Sequence, residues 1–154
     1  MRLLKNRALA AGLVLFIGAQ FVPVETRNPL VNPSQTVYAF HPMRENVRVL
    51  FARSCSQCHS DETRWPWYSH VAPFSWIVAH DVNAGRRELN FSEWGKYRQE
   101  KREEKLTAIC EQVTNGDMPE SKYAFVHRNS RLSAPEREAI CNWTESARGE
   151  VRPK

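Results

Sequence analysis

The sequence predicts an all-α domain of helices joined by long loops. Apolar residues recur at helical spacing in several separate stretches, no segment alternates convincingly as a strand, and prolines crowd the intervals. At 154 residues the chain holds one small domain. With 25% charged and 42% hydrophobic residues it is neither a disordered chain nor a multi-spanning membrane protein. The net charge of +5 looks like a nucleic-acid signal until it is divided by segment. Arg2, Lys5 and Arg7 precede the first acid, which leaves 19 cations against 17 anions in the remainder. No nucleic-acid partner is expected from that balance.

Residues 1–24 read as an N-terminal membrane anchor or signal peptide. A basic flank precedes Ala8 to Val22, a run in which only Gln20 is strongly polar. Those residues make about 22 Å of helix, short of the roughly 30 Å hydrocarbon core. Counting from Leu3 to Val24, with Lys5 and Arg7 snorkelling, a tether is long enough. Cleavage after Ala19 is the other outcome, and both deliver the rest to an oxidising compartment. Residues 25–42 contain Asn28-Pro29, Asn32-Pro33 and His41-Pro42 and read as an extended spacer.

Residues 43–150 form the expected domain. Pro42 suits the start of a helix over 43–54, with Val47, Leu50, Phe51 and Ser54 on one face. Residues 61–95, rich in Trp, Pro and Ser, offer only short helical possibilities such as 74–84. A solvated charged stretch, Lys96 to Lys105, leads into Leu106, Ile109, Cys110 and Val113 on one helical face. Asn115-Gly116 stops that helix. The last helix starts at Ser133, with Pro135 in its first turn and Glu136 completing a capping box. Ala139, Ile140 and Trp143 make its apolar side.

Cys55-Ser56-Gln57-Cys58-His59 is the most informative pentad. C-x-x-C-H is the attachment signature of c-type haem, and this composition gives about 0.003 such matches by chance. Two thiols three positions apart each reach one porphyrin vinyl group, and the adjacent His59 is delivered to the iron. A thioredoxin-like dithiol wants a preceding strand, and a zinc site wants a second ligand pair; neither is in view. Met118 is the expected distal ligand, in the loop Gly116-Asp117-Met118-Pro119 between two helices. Met43 sits too close to the attachment helix to cross to the far face. The competing distal ligands are His127, His80 and His70. Trp65, Trp67, Tyr68 and Trp76 are candidates to wall the porphyrin, and Arg86 and Arg87 to neutralise a propionate. Each has an ordinary alternative in core packing or surface charge. Cys110 and Cys141 lie on apolar helical faces, either as buried thiols or as a disulfide closing about 30 residues.

From 43 to 147 the order of attachment helix, methionine loop and C-terminal helix resembles a class I c-type cytochrome. That resemblance implies a cytochrome c-like all-α fold, helices and long loops wrapped around one covalent haem. It also implies that Phe51, four positions before the first cysteine, packs on Trp143. More narrowly, the chain is similar to a bacterial haem-binding domain family. The similarity rests on Cys55 to Ser60, Thr63-Arg64-Trp65-Pro66-Trp67-Tyr68-Ser69, Ala72-Pro73-Phe74-Ser75-Trp76 and Gly85-Arg86. Leu89-Asn90-Phe91-Ser92-Glu93-Trp94, Met118-Pro119 and Tyr123 complete it. The family implies haem binding and a membrane-tethered periplasmic location, with no reaction or named partner.

The expected function is therefore periplasmic one-electron transport by a monohaem cytochrome c, not an enzyme, serving redox partner proteins. Cys55 and Cys58 hold haem c, and His59 and Met118 ligate its iron. The alternative is a haem-based sensor or small peroxidase with an open distal site.

Overall fold

The computed structural model describes residues 2–150, and every regular element among them is helical. Helix α1 (Arg2–Ala19) leaves its apolar side chains in solvent, Leu9 at 72% and Leu15 at 74% exposed. Its 18 residues give about 27 Å of helix, and its first two turns carry three basic residues. Among the described residues no helix is long and apolar enough to cross a membrane. The helix ends at Ala19, where Gln20 turns inward: its Oε1 accepts the Ala72 N–H at 3.0 Å, and its Nε2 lies 3.5 Å from the Ala72 carbonyl.

The later part of the 25–42 segment is folded onto the domain rather than extended. A 3-10 turn (Pro33–Gln35) and the single-turn α2 (Val37–Phe40) follow the Asn32 cap. Val37 is fully buried, and His41 lies edge-on to Trp94 at 5.8 Å and to Trp143 at 6.4 Å. The Trp143 Nε1–H donates to the Pro42 carbonyl at 3.2 Å. Prolines forbid a long helix here but leave single turns free to bury what little apolar surface they carry.

Helix α3 (Glu45–Ser54) starts after Pro42 and buries Val47, Leu50, Phe51 and Ser54, the face that its spacing predicts. A break at Cys55 (φ −127°, ψ −49°) separates it from the one-turn α4 (Ser56–His59). A 3-10 turn (Trp67–His70) then leads into α5 (Phe74–Glu88), and a second (Phe91–Lys96) into α6 (Gln99–Asn115). Gly116, at φ 81°, closes α6 in the left-handed conformation that glycine adopts without strain. The short α7 (Ser121–Val126) and a 3-10 turn (Arg128–Ser130) precede α8 (Ala134–Glu150). At the start of α8 the Ser133 N–H donates to Glu136 Oε2 at 2.8 Å, the half of the capping box that the carboxylate supplies, and the Oγ–H donates to the same oxygen at 2.8 Å.

The core lies where α3, α6 and α8 meet the 91–96 turn. Phe51 is its centre, with ring centroids 4.9 Å from Trp143 at 76° and 5.1 Å from Phe91. Helices α6 and α8 pack antiparallel, with Thr107 against Arg148 at one end and Cys110 against Cys141 further along. Those two cysteines form a disulfide with Cα atoms 4.8 Å apart, resolving the choice that the sequence leaves open. Closing a loop of 31 residues stabilises by about 3–4 kcal/mol in the chain-entropy account.

Candidate functional site

The turn from α3 into α4 presents Cys55, Cys58 and His59 on the wall of one cavity of about 1620 Å³. Pockets for drug-sized ligands run to roughly 300–1,000 Å³, so this one has room for a macrocycle. Met118, Tyr123, His127 and Tyr68 line it as well, brought in by the α6–α7 loop, α7 and the 67–70 turn. The C-x-x-C-H motif and the methionine loop, 59 positions apart in the chain, thus share one space.

His59 is prepared as a metal ligand. Its Nδ1 lies 2.9 Å from the Gly85 carbonyl and 3.0 Å from the Leu89 carbonyl. Both partners can only accept, so Nδ1 carries the proton and Nε2 keeps its lone pair. Burial pushes the imidazole below its ordinary pKa, which the two carbonyl bonds only partly offset; the ring stays neutral at pH 7, as ligation requires. Gly85 permits this clamp. A Cβ there would sit 2.7 Å from the Cys58 carbonyl oxygen and 3.0 Å from Cys58 Cβ.

Cys55 and Cys58 are not paired with each other or with the other two cysteines. Burial pushes the Cys55 thiol up to about 12 and the Cys58 thiol up to about 11. Such neutral thiols are poor nucleophiles for disulfide exchange, which weighs against a dithiol redox centre. A zinc centre fares no better, for no group of three or more His, Cys, Asp or Glu among the described residues could hold a metal ion.

Met118 follows the Gly116 cap, its N–H donating to the Gln112 carbonyl at 3.1 Å. Its side chain is half-buried, touching both the core and the cavity. Met43 packs on the core instead and does not line the cavity. Of the imidazoles, His127 and the exposed His80 lie on the wall, whereas His70 does not.

Several expected porphyrin contacts fall elsewhere. Trp67 is 79% exposed, Trp76 lies off the cavity wall at 38% exposed, and Trp65 donates its Nε1–H to Asn28 Oδ1 at 3.1 Å. Of that aromatic group only Tyr68 lines the cavity. Arg86 is also displaced from the expected role. It donates to the Ser60 carbonyl at 2.8 Å, Asn28 Oδ1 at 2.7 Å and Thr63 Oγ1 at 3.0 Å, beside the buried Asp61 at 3.5 Å. Arg86 and Arg87 face a separate cleft of about 710 Å³. The cations on the cavity wall are Arg48, Arg53, Arg64 and Lys122, which no helical period singles out. Arg53 is already ion-paired with Glu136 through Nη2, and its Nε–H is buried with no hydrogen-bond partner among the described residues.

This donor set fits haem: two free thiols three positions apart, an oriented imidazole, a thioether and several cations around one large space. No characterised protein and no solved structure matched the chain in searches of each. A sequence model of the family described as haem-binding domain does match, over residues 14–146, a span that includes the whole cavity wall. The chain belongs to the haem-binding domain family.

Proposed function

We propose that this haem-binding protein is a monohaem c-type cytochrome that carries single electrons between redox partners in the bacterial periplasm. The observation that carries the reading is the shared cavity in which His59, with Nε2 free by tautomer, faces the same space as Cys55, Cys58 and Met118. Bound haem supplies a reversible one-electron couple. Cys55 and Cys58 fix the macrocycle to α4 through thioethers. His59 gives the iron a neutral imidazole whose orientation the Gly85 and Leu89 carbonyls set. Met118 adds a soft thioether, which favours the reduced metal and raises the potential. No side chain on the wall needs to act as a catalytic acid or base for this role.

Periplasmic location is supported by the basic, then apolar, α1 as an export signal or tether, and by the disulfide between α6 and α8. Exposed Trp67, Phe74 and Ile77 lie near Ala72, where Gln20 joins the end of α1 to the domain. That aromatic and apolar cluster suits the headgroup zone of a bilayer.

The test is the optical spectrum of the matured protein, oxidised and reduced, followed by carbon monoxide. A carrier with both axial positions filled shows the far-red charge-transfer band of methionine on ferric haem and leaves the reduced spectrum unchanged by carbon monoxide. Immediate carbon monoxide binding without that band overturns this reading in favour of an open-site sensor or peroxidase.

A further inference from the structure

Besides His59, the candidate iron ligands on the cavity wall are Met118, His127 and the exposed His80. They differ in what already holds them. Among the described residues the Met118 sulfur has no hydrogen-bond partner to give up. The His127 Nε2 shares a 2.6 Å hydrogen bond with the Tyr68 hydroxyl. The imidazole also lies against Tyr123, centroids 4.5 Å apart and planes 30° from parallel.

The backbone at His127 is fixed independently of that side-chain bond. Its N–H donates to the Tyr123 carbonyl at 2.8 Å, closing α7. Its carbonyl accepts the Ser130 N–H at 2.9 Å and the Ser130 Oγ–H at 2.7 Å. The side-chain torsions therefore decide where Nε2 points, and among the described residues Tyr68 is the polar group bonded to it. Tyr68 is itself held by the 67–70 turn, where Ser69 Oγ–H caps the Pro66 carbonyl at 2.6 Å.

We propose that Tyr68 is a positioning residue for the distal side: by engaging His127 Nε2 it keeps the imidazole off the iron and leaves that place to Met118. Removing the hydroxyl releases Nε2 of the stronger ligand while leaving the ring and its packing in place. A hydrogen bond of this kind biases an equilibrium by about tenfold, enough to hold a balanced competition on one side. The inference rests on the Met118 assignment above and adds the residue that secures it.

The experiment uses the full-length, haem-loaded protein, with Tyr68→Phe, His127→Ala and the double variant. The readouts are the methionine charge-transfer band, electron paramagnetic resonance of the ferric state and the midpoint potential. Tyr68→Phe is expected to lose the band, acquire a bis-imidazole resonance and drop in potential. His127→Ala keeps the band, and the double variant regains it, which a merely structural role for the hydroxyl does not produce. A Tyr68→Phe protein with its band intact overturns the proposal, and so does a double variant that fails to recover it. A parent protein without the band instead refutes the Met118 assignment, together with the inference built on it.

Discussion

Phe51→Ala is expected to cost the domain about 3–5 kcal/mol, from lost burial and the cavity left behind. The ring is fully buried and touches both Trp143 and Phe91, so no neighbour can relax into the space without giving up its own contacts. Against a typical total of about 5–15 kcal/mol, that is a large share of the stability. Asn46 lies on the same helix, exposed and off the cavity wall, and Asn46→Ala is expected to stay within about 0.5 kcal/mol of the parent. Denaturant midpoints of the haem-loaded proteins, followed by far-ultraviolet circular dichroism, make the comparison. Equal midpoints for the two variants would mean that α3 does not form the core with α8.

Gly85→Ala is expected to destabilise and to disturb the iron ligand, although alanine is intrinsically the better helix former by about 1 kcal/mol. The new methyl would press on the Cys58 carbonyl, a backbone atom that cannot rotate away. The α4 turn must then move off α5, and the two carbonyls lose their hold on His59 Nδ1. Overpacking of this kind costs about 1–3 kcal/mol. Gly149, on α8, has nothing within 4 Å of an added Cβ, so Gly149→Ala is expected to be neutral or mildly stabilising. Opposite signs for the two glycines, with a changed imidazole signal in the ferric resonance spectrum of Gly85→Ala alone, support the clamp. Matching behaviour removes it.

Periodicity made α3, α6 and α8 readable, because each buries one apolar stripe and so repeats every turn. The α8 start was equally legible from Ser133 and Glu136, since a capping box is a local pattern. The C-x-x-C-H pentad announced its chemistry for the same reason: its thiols and imidazole are sequence neighbours. Other parts depended on contacts between distant segments. The strap at 33–41 is held by Trp94 and Trp143, and nothing within its own residues signals that partnership. Trp65 and Arg86 carry the residue types of a porphyrin wall, yet Asn28 claims both through its Oδ1. The cations that do face the cavity come from α3, the loop after α4 and α7, a convergence that no one-dimensional pattern encodes. Gly85 was visible as a residue but not as the point where two helices touch.

The most direct test is the mass of the tryptic peptide Ser54–Arg64 from protein matured in a host with haem-attachment machinery. The peptide is expected to carry one haem, retained through acidified organic extraction, on Cys55 and Cys58. A peptide at its bare mass with two free thiols would contradict the covalent haem on which the account stands.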